Sequence, residues 1–155
     1  MLTDICKIGA VVVFSAAAHI CAASAFDVCA YGAKGDGVAK DTAAIQKAVD
    51  AASAAGGGTV EFAPGTYLTG SIWLKDNVDF HLGPGATLKG SPDPADYCAS
   101  NCCPQNAASP RSGDNTSGGH LLLGVGVKNV TLRGPGKVDG SSAAFLLDAS
   151  GKRYP

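Results

Sequence analysis

Two side chains in this sequence are of types that bind sugars or ligands, and each stands beside a predicted strand. Trp73 lies between Ile72 and Leu74 in an alternating segment, so its ring is predicted to face outward. There it can stack on a sugar or pack under another element. His120 opens the apolar segment Leu121–Leu123, where it can contact a ligand or bond to a neighbouring turn. Both are candidate substrate-binding residues, with a structural role as the alternative for each.

The carboxylates do not form an evident pair for acid and base catalysis. Asp36 and Asp41 lie on a predicted turn and at a predicted helix start, and no second carboxylate is placed opposite either of them. His81 alternates with Phe80 and Leu82 and is therefore predicted to face outward. These residues alone predict no catalytic group.

The cysteines favour disulfide bonds over a metal site. Four of the six lie after residue 25, and an even number in an oxidising compartment allows three full pairings. These are Cys29, Cys98, Cys102 and Cys103. We expect Cys98 to pair with Cys102 or Cys103, and Cys29 is less easily assigned. Zinc is disfavoured because two separated ligand pairs are missing, and we expect no metal and no cofactor.

The first 25 residues differ in kind from the rest of the chain. Lys7 is followed by an apolar run over 8–20 and by Ala23-Ser24-Ala25, which is typical of a cleavable export signal. The run is shorter than the ~20 residues that a membrane span needs. We therefore expect residues 1–25 to be a signal peptide, residues 26–155 to form one domain, and the protein to be secreted or periplasmic.

A net charge of −1 with 16% charged residues gives no basic surface for nucleic acid or an anionic membrane. We expect neither as a partner once the signal peptide is removed.

A short pattern occurs three times, over Val60–Gly70, Val78–Gly90 and Val130–Gly140. Each copy has a hydrophobic alternation, a Pro-Gly corner, a second alternation and a closing glycine. Because so small a unit cannot bury its own apolar face, it must stack on a neighbour like itself. The repeat therefore predicts an all-β solenoid. The inward positions of the alternation are Val60, Phe62, Ile72, Leu74, Val78, Phe80, Leu82, Val130 and Leu132.

One helix is predicted at about 42–55. Ile45, Ala48, Val49 and Ala52 have helical spacing, and the glycines from Gly56 end the pattern. Asp41 is the expected N-cap, because its carboxylate can accept a backbone N–H one turn into the helix. An amphipathic helix at the start of a solenoid is expected to cover the apolar end of the first coil.

Two segments depart from the repeat. The first, 91–119, is rich in Pro, Asp, Asn and Ser and exceeds the ~15 residues of an ordinary connection, so we expect it to be functional or poorly ordered. The second begins another coil at Phe145–Leu147 and stops at Pro155 without a visible cap. We therefore expect the solenoid to be truncated there.

Several blocks together resemble the amino-terminal part of polygalacturonase-like enzymes, glycoside hydrolase family 28. They are Phe26–Gly37, Asp41–Gln46, Gly56–Val60, Pro64–Gly70, Asn77-Val78, Cys103–Asn106, Gly119–Leu122 and Asn129–Gly140. The likeness covers essentially the whole chain after residue 25. Its opening block is also similar to pectate-lyase-like proteins and phage tailspikes, whereas Arg133–Gly140 favours the hydrolases.

The resemblance implies a right-handed parallel β-helix that hydrolyses α-galacturonosyl linkages in pectin with inversion. That reaction uses a carboxylic acid and a carboxylate roughly 6.5–9.5 Å apart. Of the family's motifs, Asp-Asp, Gly-His-Gly and Arg-x-Lys do not occur in these residues, and the one tripeptide with Asn-x-Asp spacing, Asn77-Val78-Asp79, is not accompanied by an Asp-Asp pair. We therefore assign no catalytic residue and expect the 155-residue chain alone to be inactive. The alternatives are a pectate-lyase-type enzyme and a non-catalytic carbohydrate-binding or tailspike-like module.

Overall fold

The computed structural model of this protein describes residues 24–98 and 120–141. The predicted signal peptide lies outside the described residues except for Ser24 and Ala25, and Ala25 is the first residue of a strand. Cys102, Cys103 and the predicted coil at 145–147 also lie outside them.

The described residues form ten short strands and one α-helix. The strands are β1 (Ala25–Asp27), β2 (Asp36–Lys40), β3 (Gly58–Phe62), β4 (Gly65–Thr69), β5 (Ile72–Trp73), β6 (Val78–Leu82), β7 (Ala86–Gly90), β8 (Leu122–Leu123), β9 (Thr131–Arg133) and β10 (Lys137–Asp139). The helix α1 spans Thr42–Ala54, and two 3₁₀ turns span Val28–Tyr31 and Pro94–Asp96.

All pairings between these strands are parallel, and they form three sheets. Sheet A has the order β1-β3-β6-β9, sheet B has the order β10-β7-β4-β2, and sheet C pairs β5 with β8. The three copies of the repeat therefore lie on one another: their first strands are β3, β6 and β9 in sheet A, and their second strands are β4, β7 and β10 in sheet B. The stacking of the copies is confirmed.

The register of the sheets aligns apolar side chains in columns. Val60 pairs with Phe80 and Phe80 with Leu132, while Tyr67 pairs with Leu88 and Leu88 with Val138. The inner members of each column are buried, and most of the predicted inward positions lie in this core. They are Val60, Phe62, Ile72, Val78, Phe80 and Leu82.

Leu132 is an exception to the predicted core, because 51% of its surface is exposed. It continues the column of Val60 and Phe80, but β9 is the last strand of sheet A among the described residues. Alternation thus predicted the direction of this side chain, and it did not predict what would cover it.

Two asparagines form the corners before β6 and β9. Asn77 and Asn129 have positive φ of 61° and 54°, a region that asparagine tolerates better than most residues. The Asn129 Nδ2 donates to Asn77 Oδ1 over 2.9 Å, so the two copies are also tied by a side-chain ladder.

The helix occupies the predicted residues, but the prediction that the Asp41 side chain caps it is wrong. Asp41 has helical backbone angles and makes no side-chain cap bond. Its carboxylate is almost fully buried and accepts backbone N–H groups from Lys34 at 2.8 Å and Gly35 at 3.0 Å. Asp41 therefore fixes the preceding glycine-rich loop against the start of the helix.

One other expectation about the first coil also changes. Asp36, predicted on a turn, is the first residue of β2, and its Oδ1 accepts backbone N–H groups from Val38 and Ala39. Strand β1 ends at Asp27, because Val28–Tyr31 is a 3₁₀ turn in which the Cys29 N–H donates to Asp27 Oδ1.

Candidate functional site

Trp73, the first candidate residue, lies on β5 at the outer edge of sheet C. Its side chain is partly exposed, at 38% of its possible surface. Its backbone N–H donates to Gln46 Oε1 at 2.9 Å, and its carbonyl accepts from Gln46 Nε2 at 3.0 Å. Helix α1 thus holds the backbone of Trp73 in place while part of the indole faces solvent, as a stacking surface requires.

His120, the second candidate, lies just before β8 and is tied to β5 through its backbone. The Ser71 hydroxyl donates to the His120 carbonyl at 2.7 Å and accepts the Cys98 N–H at 2.9 Å. One hydroxyl therefore joins residue 98, within the long polar segment 91–119 predicted from the sequence, to residue 120, directly after that segment.

The two candidates lie on neighbouring chain segments but not side by side. The register pairs Ile72 with Leu122 and Trp73 with Leu123, which places His120 three positions before the partner of Trp73. At ~3.3 Å per residue, this is an offset of about 10 Å along the strands. A chain of several sugar rings can span that offset, whereas a single ring cannot.

The outer face of sheet A carries a second group of polar side chains, of which the sequence indicated only His81. Arg133 Nε donates to both carboxylate oxygens of Asp79, over 2.9 Å to Oδ1 and 2.7 Å to Oδ2, and Arg133 Nη2 lies 2.6 Å from Oδ2. Asp79 also accepts from the Thr59 hydroxyl at 3.2 Å. His81 Nδ1 lies 3.2 Å from Glu61 Oε2 on the adjacent strand. Aligning the repeat copies would have revealed this group, because Asp79 is opposite Thr131 and His81 is opposite Arg133.

The electrostatics of this face favour ionised carboxylates over a general acid. Hydrogen bonding by Arg133 holds the pKa of Asp79 below its usual value of 3.8, and the same contact raises the pKa of Arg133. A general acid in glycoside hydrolysis needs a raised pKa. Asp79 therefore lacks the property that the acid requires.

The pKa is also lowered at the other carboxyl groups of the described residues that show a clear shift. Backbone N–H donors lower the pKa of Asp36 and of Asp139, through Ala39 and Ser141 respectively. Burial opposes the shift at Asp50 and Asp96, but bonds from Lys75 and Lys40 outweigh it and the pKa of each is lowered.

The two described cysteines differ in oxidation state. Cys98 is disulfide-bonded, and its predicted pairing with Cys102 or Cys103 remains a prediction because both lie outside the described residues. Cys29 is a free, exposed thiol whose Sγ lies 3.5 Å from the Tyr67 hydroxyl. Burial, reinforced by the neighbouring Cys29, raises the pKa of Tyr67, which keeps that hydroxyl protonated as a donor to the Ala63 carbonyl.

In the described part of the chain, no three His, Cys, Asp or Glu side chains are grouped so that they could hold a metal ion. Within the same residues, no helix has the length and apolar character needed to cross a membrane.

In-register parallel sheets built from a stacked repeat define a class of repeat proteins in which each copy packs on its neighbours. Comparison with known proteins narrows this class. A family model described as rhamnogalacturonase A/epimerase, pectate lyase-like matches residues 25–106, just over half of the chain. The chain belongs to this family.

The individual relatives include exopolygalacturonases and mannuronan C5-epimerases. An exo-poly-alpha-D-galacturonosidase of Dickeya chrysanthemi is 48% identical over 67 residues, covering 43% of this chain and 11% of the relative. The family 28 exopolygalacturonase of Yersinia enterocolitica superposes with a TM-score of 0.61 at 28% identity, covering 84% of this chain and 24% of that one. The hyperthermoactive exopolygalacturonase of Thermotoga maritima gives 0.59 at 25% identity, covering 76% of this chain and 25% of that one. The chain spans about a quarter or less of the length of these proteins.

Proposed function

We propose that this protein is the amino-terminal portion of a pectin-directed glycoside hydrolase that hydrolyses α-galacturonosyl linkages by inversion. The observation that carries the proposal is the superposition of 84% of the chain on a family 28 exopolygalacturonase. The partner of the whole protein is then an acidic polysaccharide of the galacturonan type. Residues 1–25 direct export, so the protein works in the periplasm or outside the cell.

In this proposal, the three sheets are the first turns of a right-handed parallel β-helix. The parallel register of the repeat copies supports a solenoid, because each copy contributes one strand to sheet A and one to sheet B. Helix α1 acts as the cap of the first turn. Its support is the burial of Ile45, Ala48, Val49 and Ala52 in the same core as β3 and β6.

The described residues serve mainly as a scaffold. Inversion requires a protonated acid opposite an ionised base. The described carboxyl groups with a clear pKa shift all have a lowered pKa, the opposite of what the acid needs. The family's Asp-Asp motif is also absent from the 155 residues. We therefore place the acid and base elsewhere in the whole protein and expect that the 155-residue chain alone does not hydrolyse the polymer. Trp73 and His120 are the proposed contacts to the polysaccharide.

The second candidate is a reaction of another class, the elimination or epimerisation of a polyuronate. The description of the matching family supports this candidate, because it names rhamnogalacturonase, epimerase and pectate lyase-like proteins together. The third candidate is a non-catalytic carbohydrate-binding module, since a fold does not fix a function.

Product analysis distinguishes these functions. The protein encoded by the complete reading frame that contains these residues is incubated with polygalacturonate, and products are followed by reducing-sugar release, ultraviolet absorbance and proton NMR. Hydrolysis with inversion gives new reducing ends whose first-formed anomer is opposite to that of the substrate linkage. Unsaturated ends would instead identify a lyase, and binding without any product would identify a carbohydrate-binding module. Either outcome contradicts the proposed hydrolysis.

A further inference from the structure

Lys75 lies two residues after Trp73, on the same side of the chain. Successive side chains of an extended segment alternate between its two faces. The burial of this segment follows that alternation: Trp73 is 38% exposed, Leu74 packs against the core, and the Lys75 side chain is 48% exposed. An indole and an ammonium group therefore face solvent from positions about 6.6 Å apart along the chain.

Helix α1 holds both residues from one of its faces. Gln46 bonds to the backbone N–H and carbonyl of Trp73, and Asp50, one turn later on the helix, lies 2.9 Å from Lys75 Nζ. Gln46 Nε2 also donates to Asp50 Oδ1 over 3.0 Å. Four helical residues advance ~6 Å and two strand residues advance ~6.6 Å, so the two contacts stay in step along the helix and the strand. The indole and the ammonium group are thus positioned as a pair.

The exposure of this pair does not come from a terminal strand. Both edges of β5 are occupied by described residues, because β8 pairs with one edge and Gln46 of α1 bonds to the other. The two side chains therefore project from the face of a segment that is fixed on both sides.

The ion pair between Lys75 and Asp50 leaves the ammonium group able to bind a second anion. An ammonium group has three N–H donors, and one carboxylate contact does not use all of them. The side chains of Lys75 and Asp50 are 48% and 47% exposed, and so exposed an ion pair contributes little to stability. A carboxylate from solvent can therefore share the ammonium group with Asp50 or replace Asp50 at little cost.

We propose that Trp73 and Lys75 form a subsite for one uronate unit of the polysaccharide, with the sugar ring on the indole and the carboxylate on the ammonium group. The carboxylate of a uronate is attached directly to the ring, so a ring stacked on Trp73 places it within reach of the flexible four-carbon stem of Lys75. The ion pair formed is charge-assisted and is lost when the carboxylate is esterified. This inference rests on the proposed function, which takes the polymer to be a galacturonan, and adds the residues that recognise its acid group.

Tryptophan fluorescence tests the subsite directly. Trp73 is the only tryptophan of the 155 residues, so the indole emission of this chain reports this position alone. The chain is titrated with trigalacturonate and with its fully methyl-esterified form, which keeps the rings and removes the charges. We expect both ligands to change the emission, with a dissociation constant about tenfold lower for the acid, because the ester can stack but cannot form the ion pair. The difference should shrink in high salt.

Variants separate the two parts of the subsite. Lys75→Met should raise the dissociation constant of the acid about tenfold and leave that of the ester within about twofold, whereas Lys75→Arg should keep the preference for the acid. Lys47→Met removes the same charge from the exposed side of α1 and should change neither constant. Trp73→Leu should weaken both ligands, and calorimetry follows its binding because no tryptophan remains. Equal circular dichroism spectra and melting temperatures establish that each variant is folded.

A second measurement uses the protein from the complete reading frame and depends neither on catalysis nor on the stability of the shorter chain. Its electrophoretic retention is compared in gels that contain polygalacturonate or the methyl-esterified polymer, for the wild type, Lys75→Met and Lys47→Met. We expect Lys75→Met alone to lose the stronger retention by the acid polymer.

The outcomes distinguish a failure of the subsite from a failure of the proposed function. Equal binding of acid and ester, no binding of either, or a preference for the acid that survives Lys75→Met would each overturn the subsite. If the complete protein still hydrolyses polygalacturonate, the hydrolase proposal stands and its substrate contacts lie elsewhere. A preference for the acid that is lost in Lys75→Met, in a protein that releases no reducing sugar, would support the subsite and contradict the hydrolase.

Discussion

The side-chain amide of Gln46 hydrogen-bonds to both backbone polar groups of Trp73. It accepts the N–H at 2.9 Å and donates to the carbonyl at 3.0 Å. On the other side of the same strand, the N–H groups of Ile72 and Leu74 donate to Leu121 and Leu123. Helix α1 thus takes the place of a third strand beside β5, and one glutamine satisfies backbone groups that a neighbouring strand would otherwise satisfy.

Replacing Gln46 with Ala should release the backbone of Trp73. We expect the free energy of unfolding to fall by about 1–2 kcal/mol, because the variant loses both bonds to Trp73 and the bond from Gln46 Nε2 to Asp50, all at a partly exposed site. Chemical denaturation measures this loss, and hydrogen exchange should show faster exchange of the Trp73 amide. A Lys47→Ala control on the exposed side of α1 should change neither quantity; equal effects of the two variants would refute the role given to Gln46.

Asp41 provides a test that separates loop anchoring from helix capping. Asp41→Ala should cost about 2–4 kcal/mol, because it leaves the N–H groups of Lys34 and Gly35 without the buried carboxylate that accepts both of them. Loss of a helix cap alone would cost only ~1 kcal/mol. Asp41→Ser is the informative comparison, since serine is a good N-cap but its single hydroxyl cannot reach both Lys34 and Gly35. We expect urea denaturation to find Asp41→Ser nearly as unstable as Asp41→Ala; near wild-type stability of the serine variant would restore the capping interpretation.

Ser71→Ala should loosen the junction between residues 98 and 120. The hydroxyl both accepts from Cys98 and donates to His120, so its removal should lower the free energy of unfolding by about 1–2 kcal/mol. Hydrogen exchange is expected to show the Cys98 amide losing protection more than amides in β6. A matched Ser53→Ala change on α1 should leave both measurements unaltered, and the same loss in that control would argue against a specific junction.

The Asp79–Arg133 pair predicts a particular dependence of stability on pH. A folded-state pKa that is lowered from 3.8 stabilises the protein fully above that value, and the stabilisation is lost as pH falls through the lower pKa of the folded state. Arg133→Met removes the largest cause of the shift. The variant should therefore lose less stability than the wild type between about pH 5 and pH 2, where carboxyl groups titrate.

Both side chains of this pair are partly exposed, so the difference should be small and should shrink further in high salt. Thermal melts across that pH range measure it. Lys47→Met serves as the control, and a parallel pH profile for Arg133→Met and the wild type would contradict the assigned cause.

Much of the architecture could be predicted because it follows from the stacking of the repeat copies. The alternation in each copy predicted which residues face inward, and the distance between the closing glycines, Gly70 and Gly90, equals that between the paired residues Val60 and Phe80. The asparagine corners could be found in the same way, since Asn77 and Asn129 hold equivalent positions before β6 and β9. Strand β2 was not predicted because Gly32, Gly35 and Gly37 are closely spaced, which is typical of a turn, and only pairing with β4 makes this segment a strand.

The errors at Asp41 and the omission of Gln46 have a common physical origin. Capping rules consider neighbours in sequence, whereas Asp41 binds a loop that folds back from residues 34 and 35. Gln46 acts on a strand 27 residues further along the chain. Neither contact has a period or a spacing that a single sequence could reveal. Trp73 was correctly predicted to be at least partly exposed, but the helix that fixes its backbone was not foreseen.

The central claim is that the described part of the chain is a scaffold and that the catalytic acid and base lie outside it. Reducing-sugar release from polygalacturonate tests it, with the protein from the complete reading frame compared with its Asp79→Asn and Glu61→Gln variants and with the 155-residue chain. We expect both variants to retain activity within about threefold, less than 1 kcal/mol of transition-state stabilisation, and the 155-residue chain to release no sugar. Hydrolysis by the 155-residue chain that is abolished by Asp79→Asn or Glu61→Gln would contradict the claim and place the active site on sheet A.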